Sequence, residues 1–264
     1  MRQTFYRTLI ELTNGKWTSA TIRKFAQSKI SKKVIPSFAK YYKINTVEME
    51  KELHQYKTLH EFFIRKLKEG VRPINIEEST VVSPVDAVIE DAGTINSHAQ
   101  FVVKGKTYSI QEMLGSEDAA KKYLNGNYII LYLSPSHYHR IHSPVNGSIK
   151  SHWTLGGRSY PVNRLGLQYG KAPLSKNYRR ISEIEHKYGT VAVVKVGAMF
   201  VNSIELTFKG ENVKKGDEIG YFTFGSTVVL LFEKGTFQWN DMLKIPAHVK
   251  VGEVIGYLKK SDEE

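Results

Sequence analysis

Residues 224–233 read FGSTVVLLFE. Val228 to Phe232 form an unbroken apolar run of strand length, rich in β-branched residues, which predicts a buried β-strand. Gly225-Ser226-Thr227 at its mouth reads first as the turn that starts the strand. The runs that share this character set the fold. From residue 80 onward VVSPVDAVIE, QFVVKG, NYIILYL, TVAVVKVGA, FVNSIELTF and EVIGYL follow one another, separated by Gly, Pro, Asn and Ser. Two weak repeats lie among them. Val213–Phe222 (VKKGDEIGYF) matches Val249–Leu258 (VKVGEVIGYL), and SPVDAVI from Ser83 matches SPVNGSI from Ser143. Two copies of each, and of different types, point to pseudo-symmetric sandwiched hairpins rather than to a solenoid, which needs three or more stacked units.

The first 70 residues have another period. Phe5, Leu9 and Leu12, then Ile22, Phe25, Ala26 and Ile30, recur at helical spacing, with Arg23, Lys24, Lys29, Lys32 and Lys33 between them. This predicts a basic amphipathic helix over 20–35, ended or kinked by Pro36. Thr58-Leu59-His60-Glu61 has capping-box spacing ahead of Phe62, Phe63, Ile64 and Leu67, so a further helix is expected there. The expected class is therefore α+β. A helical region, 1–72, precedes a β-rich catalytic domain, 73–264, built as a mostly antiparallel β sandwich.

A chain of 264 residues with 41% hydrophobic content can bury a substantial core. The absence of cysteine excludes disulfides, thiolate metal sites and a cysteine nucleophile. Charges at Arg2, Arg7, Glu11 and Lys16 interrupt the first residues, so no signal peptide is expected, and no apolar run is long enough to span a bilayer. The net charge of +12 is concentrated at the front: residues 1–72 hold 16 Lys and Arg against 6 acids. Such a segment suits an anionic membrane or a nucleic acid. No nucleic-acid-binding motif accompanies it, and that reading leaves the histidines below without a purpose.

Residues 134–147, SPSHYHRIHSPVNG, place His137, His139 and His142 directly after the run NYIILYL. Crowded imidazoles suit proton transfer or metal binding. Asp86, in the related turn SPVDA, adds a carboxylate. Asp86, His139 and Ser226 then make an orienting acid, a base and a hydroxyl, a set defined by geometry rather than by sequence separation. The carbonyl nearest to Ser226 is that of Gly225, whose missing side chain leaves it open to attack. A different class of enzyme, a zinc metallopeptidase of the His-x-His type, would use His137, His139 and Asp86 as ligands.

Five blocks in order resemble the phosphatidylserine decarboxylases of prokaryotic type: FFIRKLKEGVRPI (62–74), SPVDAVIEDAG (83–93), SPSHYHRIHSPVNG (134–147), VGAMFVNSIELTF (196–208) and FGSTVVLLFE (224–233). The resemblance covers nearly the whole chain. It implies self-cleavage between Gly225 and Ser226, giving chains 1–225 and 226–264, with Ser226 converted to a covalent pyruvoyl group. It further implies a Schiff base with the amine of phosphatidylserine, loss of carbon dioxide and release of phosphatidylethanolamine. Ser226, Asp86 and His139 fall on the family's functional positions, and His142 on its second histidine; His137 is an extra. Phe224 stands where the family has leucine, and Ala87 where it has glycine. The expected setting is a peripheral enzyme on the cytoplasmic face of the cell membrane, with the basic arm as a membrane-docking element and a homodimer among its assemblies.

Overall fold

A computed structural model of the chain describes residues 21, 24–198, 204–223 and 226–260. Sixteen strands lie among them: β1 (Thr80–Val82), β2 (Ala87–Thr94), β3 (Gln100–Val103), β4 (Lys106–Ser109), β5 (Asn127–Leu133), β6 (Arg140–His142), β7 (Gly147–Leu155), β8 (Arg179–His186), β9 (Gly189–Gly197), β10 (Ile204–Leu206), β11 (Asn212–Val213), β12 (Glu218–Phe222), β13 (Ser226–Phe232), β14 (Phe237–Trp239), β15 (Ala247–Val249) and β16 (Val254–Leu258). Eight of these form one sheet in the order β11-β7-β8-β9-β13-β5-β2-β15. Its ladders are antiparallel throughout. Two three-stranded sheets, β10-β12-β6 and β1-β16-β14, and the hairpin β3-β4 complete the β structure. The class is α+β, as the sequence predicts.

The apolar run at 226–232 is β13, paired along its whole length with β5 on one side and β9 on the other. All seven of its residues are buried. A strand covered on both faces has no use for alternating polar residues, which is why the run is continuous. Val228, Leu230 and Phe232 point to one face, where they pack with Ile204, Ile219 and Phe222 of the first small sheet and Val81 and Ile255 of the second. Val229 and Leu231 point to the other, toward Phe101, Tyr108, Met113, Leu167 and Leu174 of the hairpin and short helices. The arrangement is a sandwich around a central eight-stranded sheet.

The repeats are the hinge between the layers. Val82 N donates to Pro144 O at 3.0 Å, and His142 N donates to Pro84 O at 2.8 Å, so the two Ser-Pro-Val turns exchange backbone hydrogen bonds. Each turn also docks on one copy of the other repeat. Gly252 N donates to Ser83 O and Gly216 N to Ser143 O. Both glycines have left-handed φ, +89° and +88°, where a side chain is strained. Val251 N donates to the Asp86 carboxylate at 2.9 Å, and in the matching place Lys215 N donates to Asn146 Oδ1 at 2.8 Å.

The N-terminal segment differs from the helix expected over 20–35. Residues 24–27 are helical, the turn closes at Ser28, a 3₁₀-helix follows over Lys29–Val34, and an α-helix runs from Ile35 to Tyr41. Pro36 therefore opens a helix rather than ending one. A proline lacks only an N–H that the first turn leaves unpaired in any case. Ala26, Ile35, Ala39, Met49, Tyr56, Leu59 and Phe62 make a separate core, while Phe25 and Ile30 face solvent. The helix Leu59–Phe63 forms where expected, and Thr58 Oγ1 caps it by accepting from Glu61 N. Phe5, Leu9, Leu12 and Ile22 of the expected stripes lie outside the described residues. No described helix is long and apolar enough to cross a membrane.

Candidate active site

Strand β5 delivers the histidine segment. Leu133, its last residue, pairs with Ser226, and the chain then turns so that His137 N donates to Ser134 O. Residues 62–65 pack on this segment. Phe63 lies against the His139 ring at a centroid distance of 4.0 Å, the Ile64 carbonyl accepts from Arg140 Nε, and Arg65 Nη2 donates to the carbonyls of Ser136 (3.0 Å) and His137 (2.9 Å). Arg65 is itself buried.

His139 is fully buried. Its Nδ1 lies 2.8 Å from the His137 carbonyl oxygen, and an oxygen that can only accept requires the ring proton at Nδ1. Nε2 is then a bare acceptor. Burial first, and then the cation of Arg65, hold this imidazole well below the usual histidine range, so it is neutral at physiological pH. Among the described residues Nε2 has no hydrogen-bond partner, and neither has Ser226 Oγ, which is equally buried. One orphan accepts and the other can donate. Such unpaired buried groups cost stability and are rare in folded proteins. The two belong to neighbouring segments. Phe222 N donates to His139 O, and Ser226 begins the next strand after Phe222. Gly225 and Phe224 lie outside the described residues. Thr227 Oγ1, on the opposite face of β13, is also without a partner among the described residues.

Asp86 does not orient His139, as the sequence reading had it. The His137 carbonyl occupies Nδ1, and Asp86 is engaged elsewhere. Its carboxylate accepts from Arg72 Nε (2.9 Å) and Nη2 (2.6 Å) and from Val251 N, while Arg72 also reaches Glu48 at 2.7 Å. The field of Asp86 acts instead on His137 and His142. Both nitrogens of His142 are occupied: Nδ1 faces Gly216 O at 2.7 Å and Nε2 faces Tyr138 OH at 3.3 Å. His137 Nδ1 accepts from Ser134 N at 3.1 Å. Burial lowers the pKa of both rings. Among the described residues no three His, Cys, Asp or Glu side chains converge as metal ligands, so the zinc reading has no ligand set.

Phe63, Arg65 and Arg72 were not singled out by sequence. Their one signal is membership of the block 62–74, since nothing local in FFIRKLKEGVR says which distant carbonyl an arginine will meet. Arg65 has a testable part as a positioning residue. Arg65→Met removes the donor to the carbonyl that fixes the His139 tautomer, together with the cation that disfavours imidazolium. If His139 is the base of a reaction at Ser226, that reaction is expected to slow about tenfold or more. The acid limb of its rate should also move to higher pH, because a base whose pKa has risen is lost to protonation sooner. Arg65→Lys, which keeps the charge, should hold the limb in place. A pH–rate series on the three proteins measures both.

The phosphatidylserine decarboxylase family model matches residues 59–257, well over half of the chain. Curated relatives named phosphatidylserine decarboxylase proenzyme are similar over almost the whole length. The protein of Anoxybacillus flavithermus is 61% identical over 96% of this chain and 96% of its own. That of Geobacillus sp. strain WCH70 is 60% identical over 98% of this chain and all of its own. That of Geobacillus kaustophilus is 57% identical over the full length of both.

Proposed function

The chain belongs to the phosphatidylserine decarboxylase family, and from that premise we propose that it is a proenzyme which cuts itself between Gly225 and Ser226 and then decarboxylates phosphatidylserine to phosphatidylethanolamine. The observation that carries the reading is the pair of buried orphans. Among the described residues the serine hydroxyl has no acceptor and the neutral imidazole no donor, so both are free to pair; they are not bonded to each other in this structure, and the reading requires them to close to hydrogen-bond distance as the attack by Ser226 begins.

In this reading His139 Nε2 takes the Ser226 proton as Oγ adds to the Gly225 carbonyl. The C–N bond breaks, the amine of residue 226 is released, and the chain is held by an ester. Loss of the Ser226 α-proton then expels the Gly225 carboxylate, leaving dehydroalanine at 226. Its imine tautomer takes up water and loses ammonia, and residue 226 becomes the pyruvoyl group at the head of chain 226–264. Once formed, that group supplies an electrophilic carbonyl able to draw electrons from the substrate's α-carbon, which no unmodified side chain offers. The protein's part is to bury the site, with Phe63 against His139 and β5 and β9 on either side of residue 226. His139 Nε2 is the atom from which a proton would return to the α-carbon after carbon dioxide leaves. Asp86 contributes by locking its turn to Arg72 and Val251 and by its field on His137 and His142.

The basic arm suits the same substrate. Residues 1–43 hold ten Lys and Arg against the single acid Glu11, and Phe25 and Ile30 leave 43% and 69% of their surface exposed. Each cation near an anionic surface contributes about 1 kcal/mol, and apolar side chains add insertion. The arm is read as docking the enzyme peripherally on the cytoplasmic face of the membrane.

Intact-mass measurement on active protein tests the cleavage. Two polypeptides are expected, 1–225 and 226–264, the smaller lighter than its unmodified sequence and blocked to Edman chemistry. A single whole chain with full decarboxylase activity would sink the reading.

A further inference from the structure

Strand β9 carries a lysine amid Val191, Val193, Val194 and Val196. Lys195 is fully buried, and its ammonium donates to Ser182 Oγ at 2.8 Å. Directly opposite on β8 stands Arg180, whose Nη1 donates to the Ile204 carbonyl at 2.9 Å. Like charges in directly opposed positions repel. Among the described residues no carboxylate pairs with either side chain; burial and the facing Arg180 push the Lys195 ammonium down to about 7. A hydrophobic side chain would occupy the Lys195 position at lower cost, as its valine neighbours do. A cation that burial and a like charge both disfavour would be held protonated by an anion supplied from outside the chain.

The register says where that anion would sit. Lys195 pairs with Val228, and Gly197 with Ser226. Opposed residues, and residues two apart, share a sheet face, so Arg180, Lys195 and Ser226 all project into the layer beneath β10 and β12. Lys195 is the diagonal neighbour of Ser226, a Cα separation of about 7–8 Å; its ammonium rests on the opposite diagonal, at Ser182 Oγ, and would swing across β9 toward β13 to meet an anion beside residue 226. Gly197, between them, places no side chain on that face.

We propose that Lys195 and Arg180 form an anion seat beside residue 226 that binds the phosphodiester of the lipid headgroup while the headgroup's amine is at residue 226. This rests on the reading that residue 226 carries the reactive group. The headgroup has two anionic parts, and the chemistry separates them. The carboxylate loses its charge as carbon dioxide departs, so a cation upon it would stabilise the starting state against the transition state. The phosphodiester keeps its charge throughout. A cation there strengthens ground and transition states alike, which lowers KM and leaves kcat nearly unchanged.

The test uses the full-length wild-type protein, Lys195→Met, Arg180→Met and Arg180→Lys, each checked by intact mass. Turnover of a water-soluble short-chain phosphatidylserine should show KM raised about tenfold or more in each Met variant, with kcat within about threefold, and Arg180→Lys should recover much of the loss. A second readout does not depend on turnover. Inorganic phosphate and glycerophosphoglycerol, a phosphodiester with neither amine nor carboxylate, should raise the melting temperature of the wild-type protein and not that of Lys195→Met. Lys195→Met should itself melt no lower than wild type, since it removes a buried amine that has no counter-ion among the described residues. A fall in kcat with KM unchanged would overturn the proposal, as would unchanged KM in both Met variants. Protection by inorganic phosphate alone, with the lipid KM unaffected, would make the seat one for free phosphate and overturn the lipid assignment. Failure of the wild-type protein to split would count against the cleavage reading, whereas the melting shift reads the seat in cut and whole protein alike.

Discussion

Ser226→Ala is expected to remain one polypeptide of 264 residues with no measurable decarboxylase activity, while folding at least as stably as the wild-type precursor. Without Oγ there is no nucleophile, so the loss is complete. The stability expectation comes from the orphaned hydroxyl: removing a buried polar group that has no partner among the described residues relieves desolvation at little packing cost. His139→Ala tests the other orphan. It should slow self-cleavage by about 10²–10⁴-fold, the usual contribution of a positioned general base, measured by gel and intact mass on freshly purified protein. His142→Ala is the control that matters. Its two nitrogens are already occupied by Gly216 O and Tyr138 OH. If His142→Ala stayed whole while His139→Ala split normally, the base would be His142, on the side of the site that Asp86 influences.

The second large effect falls on stability. Asp86→Ala, made on the uncleavable Ser226→Ala background so that splitting does not intrude, should lose about 2–3 kcal/mol of unfolding free energy in a denaturant titration. Arg72 and Asp86 are 11% and 8% exposed at their side chains, so the pair is mostly desolvated, and removing Asp86 leaves the buried guanidinium with Glu48 but without its two bonds to Asp86. Val251 N loses its acceptor as well. Asp86→Asn should lose less, because an asparagine in the matching turn, Asn146, already accepts from Lys215 N. Equal losses for both substitutions would mean that the ion pair alone carries the effect.

Much of this was legible in the chain because it depends on neighbours in sequence. A continuous apolar run predicts a doubly covered strand, and β13 is one; Thr58 with Glu61 predicts a cap, and Thr58 caps. The paired repeats predict pseudo-symmetry, and their turns exchange backbone hydrogen bonds. What failed depends on distant partners. Residue type offered Asp86 as the natural holder of an imidazole, yet a carbonyl two residues from His139 in the same loop took that place, and Arg72 took the carboxylate. A proline at the end of a helical stripe predicts an end or a kink, and nothing local shows that Pro36 instead lies in the first turn of the next helix. Lys195 sat unnoticed inside TVAVVKVGA, since only the ladder register sets it opposite Arg180 and diagonal to Ser226.

The central place of β13 also bears on how long the processed protein lasts. A cut before Ser226 assigns β13 through β16 to the small chain, yet β13 lies between β9 and β5, β15 extends the same sheet beside β2, and β16 sits between β1 and β14. The small chain is thus interleaved with the large one rather than laid upon it, and it cannot depart without opening the middle of the main sheet. Before the cut, refolding is a first-order event within one molecule; afterwards it requires two chains to meet again. Processed enzyme should therefore melt with poor recovery that improves with protein concentration, and its working life should be set by the rate of unfolding rather than by an equilibrium.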